Sequence, residues 1–344
     1  MVFLDYASTC PIVKFSSQQY GGFHCNPNAA YAYAERKTLM DCEERIKAAI
    51  GVKSGHVLYF RCATEAIDWL HRATIDRAGC IRWRRSLYEH DACQFGCEAK
   101  ANLVTDAIDF YIHQWVNHIT GEIFNLKTIR SQLPETCKLI VDATAGFGKA
   151  KLPSGLDNIA DALFMSGHKI GCPELSFMWL SDNLCEWLGA AKDIRNQWGL
   201  HHGSLSVASV LALTDAVEGA CENGTRVDWH SAGLYVQMNN LLDEACIEHH
   251  DVIERQAFAA SIKAIRLNGI NADALQQFLA SRGIYVGVGG SACSAAHDYR
   301  VLRAYGLTDG EAAEVIRVSF GDETTSSDIE ALVEGIKEYR RQFC

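Results

Sequence analysis

The sequence predicts an α/β fold with a mainly parallel sheet, and three observations carry that expectation. Short apolar runs suited to buried strands alternate with segments of helical periodicity. Several of these runs end in polar residues, at the place where open parallel sheets bind their ligands. The chain has 344 residues, enough for a large domain with a sizeable core and a smaller companion.

Taken in order, Val57-Leu58-Tyr59-Phe60 reads as a strand, followed by a helix from Thr64 to Thr74 with Thr64 and Glu65 in its first turn. Ala107 to Ile112 is a second strand. Cys137 to Val141 is a third, ending at Asp142, and Ala162 to Met165 is a fourth, ending just before Ser166-Gly167-His168-Lys169. Leu175 to Leu180 is a fifth. A long helix is expected from about Asp228 to His249. A smaller α+β segment follows, closing with the strand Val315 to Phe320 and a helix from about Ser327. Glu222-Asn223-Gly224-Thr225 signals a turn and places the domain change near Gly219 to Gly224. The expected division is a large domain over 14–222 and a small one over 1–13 and 223–344.

The net charge of -10 argues against nucleic acid as the main partner, since phosphate binding needs clustered Lys and Arg. The one short basic run, Arg82-Trp83-Arg84-Arg85, reads as a solvated loop or strand edge. No apolar stretch approaches the roughly 18 residues that span a bilayer. The first residues lack the basic region and apolar run of a signal peptide, so a cytoplasmic protein is expected, without membrane partners. Its fourteen cysteines should then be mostly reduced core residues. Cys93 and Cys97 are the closest pair, but no second Cys or His pair stands at zinc-site spacing, and no metal is expected.

The residues at the strand ends suggest chemistry. Lys169 follows a buried strand, where a lysine of lowered pKa can form a Schiff base with an aldehyde; alone, it reads as a solvated strand terminus. Asp142 ends another strand. A carboxylate there can keep the ring nitrogen of pyridoxal phosphate (PLP) protonated, or can simply cap a turn. Ala63-Thr64-Glu65 opens a helix, whose free N–H groups and dipole suit a phosphate. His90 offers an imidazole that can stack on a planar ring. Arg317, in the middle of an apolar strand, needs a partner: a substrate carboxylate or an internal salt bridge. In Gly287-Val288-Gly289-Gly290-Ser291-Ala292-Cys293, three glycines precede a cysteine, as in a loop that delivers a thiol or a tight turn.

Together, and in order, these pieces resemble the cysteine desulfurases, the NifS/IscS-like branch of the class-V aminotransferase family of fold-type I PLP enzymes. Phe3-Leu4-Asp5-Tyr6-Ala7-Ser8-Thr9-Cys10-Pro11 resembles the family's opening segment, and Asn26-Pro27 an Asn-Pro near its site. The resemblance implies a mainly parallel seven-stranded sheet with a smaller α+β domain, and PLP held as a Schiff base on Lys169. It implies that Ala63, Thr64, Ser166 and His168 contact the phosphate, that His90 stacks on the ring and that Asp142 meets its nitrogen. Ser204, in Gly203-Ser204-Leu205, would reach the phosphate of the neighbouring subunit in a homodimer. Arg317 would take the substrate carboxylate. L-cysteine would become L-alanine, Lys169 or His90 moving the proton and Cys293 receiving the sulfur as a persulfide for an acceptor protein.

The chain also departs from the family. Ala145 stands where a glutamine is usual, His201-His202 replaces an arginine, and Arg61-Cys62 replaces Ser-Gly. The family's cofactor-contacting asparagine falls on His118, or on Asn117 after a one-residue shift; Asn117 is the substrate-side candidate. Two alternatives stay open at this point. One is an aminotransferase or β-lyase in which Cys293 is incidental; the other is a divergent, non-catalytic binding subunit.

Overall fold

The computed structural model describes residues 1–21, 24–78, 81–93, 95–98, 109–224, 228–253, 257–289 and 298–343. Strand β1 (Val2–Leu4) opens the chain. It is followed by β2 (His56–Phe60), β3 (Trp83–Arg85), β4 (Cys97–Glu98), β5 (Phe110–Gln114), β6 (Lys138–Asp142), β7 (Ala162–Met165) and β8 (Ser176–Leu180). The last four are β9 (His249–Asp251), β10 (Ile262–Leu267), β11 (Ile284–Val288) and β12 (Val315–Ser319). The chain forms two compact units. The larger comprises Pro11–Trp115 and Asn125–Arg226; the smaller comprises Met1–Cys10, Val116–Phe124 and Val227–Cys344.

The larger unit carries the expected sheet, seven strands among the described residues in the order β2-β8-β7-β6-β5-β3-β4. Strands β4, β3, β5, β6 and β7 pair in parallel. Only β8 runs the other way, antiparallel to both β7 and β2. Hence β2 is parallel to the rest, and the carboxyl ends of β2, β3, β5, β6 and β7 share one edge. Strands β7 and β8 are buried at every position, as expected of a sheet covered on both faces. The helix Ala63–Ala78 buries Ala63, Ala66, Ile67 and Leu70, an i, i+3, i+4, i+7 stripe packed with Leu58, Phe60, Phe164 and Met178. Helices Tyr33–Ile50 and Val207–Gly224 pack against one another.

Two expectations need correcting. The basic run at 82–85 is not a loop or strand edge beyond the exposed Arg82: Trp83–Arg85 form β3, paired on both sides, because Trp83 is buried and stacks on Phe110 with ring centroids 4.5 Å apart. Glu222-Asn223-Gly224 does not turn but is the last turn of the helix Val207–Gly224. Gly224 lies so close to the backbone of Ala150 that a Cβ would meet its carbonyl oxygen at 2.4 Å.

In the smaller unit the sheet order is β1-β11-β12-β10-β9, with β1 parallel to β11 and the other neighbours antiparallel. Helix Trp229–Glu244 starts at Asp228, whose carboxylate accepts the Ser231 N–H at 2.9 Å. It stops before the expected His249 because Cys246 turns into the left-handed region at φ 51°. The C-terminal helix Ser326–Phe343 buries Ile329, Leu332, Val333 and Ile336 on one stripe.

Lys263, on β10, is 2 % exposed. Its ammonium lies 3.0 Å from the centroid of the Phe258 ring and 3.9 Å from that of Tyr235, with no hydrogen-bond partner among the described residues. Burial pushes its pKa from 10.5 down to about 8, against a weaker pull from Asp251. The folded state therefore binds protons less well than the unfolded chain, and stability rises with pH between about 8 and 10.5. Lys263→Met is expected to stabilise the protein by about 1–3 kcal/mol at pH 7 and to flatten that rise. Urea unfolding at neutral and alkaline pH measures both effects.

Candidate active site

The candidate site is built on the shared carboxyl edge of the large sheet. After β7 the chain makes the 3-10 turn Gly167–Ile170, which holds Lys169; the Lys169 N–H donates to the Ser166 carbonyl at 3.2 Å. Only glycine fits at 167, since a Cβ there would meet the Leu175 carbonyl oxygen at 2.0 Å. Gly171 closes the turn in the left-handed region, φ 79°.

Ser176 is a residue that the sequence reading missed. It opens β8, and because β8 is antiparallel its first residue lies at the edge where the parallel strands finish. Its hydroxyl is 1 % exposed by residue, accepts the Gly167 N–H at 3.2 Å and sits 3.4 Å from the Ser166 hydroxyl. It also donates to the Arg61 carbonyl at 3.4 Å. The lysine turn is thus fastened to the turn after β2. A serine at the head of an otherwise apolar run was the available signal.

That second turn starts the helix Ala63–Ala78. Cys62 caps it, its Sγ accepting the Glu65 N–H at 3.4 Å, and Glu65 accepts the Arg61 N–H at 2.7 Å. The amides of Ala63 and Thr64 have no intrahelical acceptor and mark the positive end of the helix. His201 stacks on Phe60 with centroids 4.8 Å apart, edge-on to Trp69; burial lowers its pKa and Glu65 partly restores it.

Asp142 ends β6, beside β7, with Asp142 opposite Phe164. It is buried, and its Oδ1 accepts the Thr144 N–H at 2.8 Å. The Thr144 hydroxyl is buried without a hydrogen-bond partner among the described residues. Ala145 is buried and offers no side-chain donor. Past β3, Glu89 and Cys93 approach Asp142, one ligating atom from each lying within 4.8 Å of the others. Burial, then Glu89 and Asp142, push the Cys93 thiol well above its usual range, so it is an inert neutral thiol. Between Glu89 and Cys93, His90 Nδ1 accepts the Ala92 N–H at 3.1 Å, which leaves the ring proton on Nε2.

His168 is pushed down to about 4, by burial first and then by Lys169 and Lys149. Ser204 is exposed and donates to Asn26 Oδ1 at 3.1 Å.

The smaller unit holds the remaining candidates. Asn117 Oδ1 accepts the N–H groups of Ile119 and Thr120, both at 2.9 Å, shaping its own turn. The carbonyl of His118 accepts Arg317 Nη1 at 3.0 Å. Arg317, 1 % exposed, also donates to Asp5 and Ser8. So Ala63, Thr64, His90, Asp142, Ser166, His168 and Lys169 gather on one sheet edge, while Asn117, His118 and Arg317 belong to the other unit. Cys293 lies outside the described residues.

Residues 89–332, most of the chain, match the aminotransferase class-V family. The chain belongs to that family. Within it, the chain is similar to a protein of Halalkalibacterium halodurans called a putative cysteine desulfurase NifS, 24 % identical and covering 98 % of both chains. It is also similar to the cysteine desulfurase IscS of Mannheimia succiniciproducens, 25 % identical over 98 % of this chain and 92 % of the relative. A solved NifS-like protein shares the fold, with a TM-score of 0.81 and 19 % identity over 99 % of this chain and 100 % of that one.

Two imidazoles, the buried His113 and the half-buried His168, both at about 4, stay neutral in the folded state and take up protons on unfolding. The folded state thus binds fewer protons between about 4 and 6.5, and stability is lost as pH falls through that window. His168→Gln is expected to reduce the slope, as read by denaturant titration across it.

Proposed function

We propose that the chain is a PLP-dependent cysteine desulfurase, converting L-cysteine to L-alanine with the sulfur held as a persulfide on Cys293. The observation that carries this reading is an amine, a carboxylate and a helix start at three strand ends of one sheet edge. Lys169, Asp142 and Ala63-Thr64 stand there, and Ser176 ties the first of these turns to the last. That donor set fits PLP: Lys169 for its aldehyde as a Schiff base, Asp142 for its ring nitrogen, and Ala63, Thr64, Ser166 and His168 for its phosphate. The orphaned Thr144 hydroxyl adds a polar group at the same strand end. The desulfurase names of relatives spanning nearly the whole chain support the choice of substrate.

Bound PLP supplies an electron sink for the pair released at the substrate's α-carbon. Asp142 fixes the charge opposite the ring nitrogen. His90 would stack on the ring, and its Nε2 or the Lys169 amine would move the α-proton. Arg317 would hold the substrate carboxylate, with Asn117 as a further substrate-side residue and His118 as a cofactor-side one. The Cys293 thiolate attacks the substrate sulfur; the C–S bond breaks, its electron pair stays on carbon, and a proton completes alanine. The persulfide then passes to an acceptor protein. In this reading the enzyme is a cytoplasmic homodimer in which Ser204 reaches the neighbouring subunit's phosphate. Among the described residues, no helix is long and apolar enough to cross a membrane.

Purified protein with PLP and cysteine is expected to form sulfide under reducing conditions, with an equal amount of alanine, and Cys293→Ala to form none. Pyruvate in place of alanine, or transamination with a 2-oxo acid, overturns the assignment. Asp142→Asn is expected to lower kcat by on the order of 10²-fold, measured by alanine release.

A further inference from the structure

Arg317 is engaged in a way that bears on how it meets a substrate. Its Nη2 donates to Asp5 Oδ1 and to Ser8 Oγ, both at 2.7 Å. Its Nη1 donates to the His118 carbonyl at 3.0 Å, and its Nε is buried without a partner among the described residues. A guanidinium grips a carboxylate with two parallel N–H groups, along either its Nε–Nη2 edge or its Nη1–Nη2 edge. Nη2 belongs to both edges. With both of its hydrogens taken, no second carboxylate can be gripped by two hydrogen bonds.

The arrangement is built rather than incidental. Asp5 follows β1 and bridges to Ser319, on the same strand as Arg317. The Ser319 hydroxyl accepts the Ala7 N–H at 2.8 Å, and the Ser8 N–H closes a turn on the Asp5 carbonyl at 3.0 Å. Gly287 lies opposite Arg317 on β11. A Cβ there would meet Arg317 Nε at 2.8 Å, Asp5 Oδ1 at 2.9 Å and Arg317 Nη2 at 3.0 Å, so glycine leaves the room that the ion pair fills.

We infer that Asp5 is a placeholder carboxylate: with Ser8 it holds the Nη2 donors of Arg317 until the carboxylate of the amino-acid substrate takes them. This rests on the reading of Arg317 as the substrate's carboxylate anchor. Asp5 keeps a buried cation neutralised, since an unpaired charge at 1 % exposure is costly. The cost falls on affinity, because the substrate meets a fork that is open only part of the time. Asp5 and Ser8 are thus affinity-determining residues, and Gly287 provides their space.

The test is steady-state kinetics of the PLP-loaded enzyme with cysteine, joined to thermal melts with and without alanine, a carboxylate that does not lose sulfur. Asp5→Asn is expected to lower KM, and the inhibition constant for alanine, by about 10-fold, with kcat changed little. It should melt lower than wild type, and saturating alanine should restore more of its melting temperature than it adds to the wild type. Ser8→Ala, which frees one N–H and keeps the ion pair, should move both constants the same way by about 3-fold. It keeps the test decisive if Asp5→Asn does not fold. Arg317→Gln is the control, expected to raise KM by about 10²-fold. If it does so while Asp5→Asn and Ser8→Ala leave KM unchanged or raise it, Asp5 is only a prop and the inference fails. If Arg317→Gln leaves KM unchanged, the anchor reading itself fails.

Discussion

The reversal of β8 is the constraint on which the candidate site depends. Six parallel strands bring their carboxyl ends to one edge, but nothing in parallel pairing fixes the turns beyond those ends to one another. Because β8 runs backwards between β2 and β7, its first residue starts at that edge. Ser176 is therefore placed to accept from Gly167 and donate to Arg61. The bond from Gly167 is buried, where an unmade hydrogen bond is costly, and the bond to Arg61 is partly buried. The lysine turn and the helix start are thus joined through one hydroxyl.

The charges around this edge are few and controlled. His168 is kept neutral by burial and by two lysines, and Cys93 is kept as a thiol by burial and two carboxylates. Neither group therefore changes its protonation near neutrality. The smaller unit shows the complementary device: Arg317, buried in a strand, is paired with Asp5 from the same unit.

Much of this was legible in the sequence where local pattern and packing agree. The buried run at 162–165 could only be a covered strand, and Lys169 and Asp142 could be placed at strand ends without any contact information. What escaped was set by distant neighbours. The basic run at 82–85 reads as solvated until Trp83 is seen against Phe110. Glu222-Asn223-Gly224 looks like a turn because its glycine is needed for close approach to Ala150, not for a bend. Ser176 and Asp5 gain their roles from partners 115 and 312 residues away, a separation that no periodicity reports.

That 312-residue separation has a consequence in time. Strand β1 is synthesised well before its neighbour β11 and before Arg317, with which Asp5 pairs. At about 5–20 residues per second, Asp5 waits roughly 15–60 s for its arginine. The larger unit, drawn from residues 11–226 apart from one short excursion, has its strands and helices well before then. A nascent chain thus holds the edge with Lys169 and Asp142 before it holds the Asp5–Arg317 pair, and any product cut short of β12 has the first without the second.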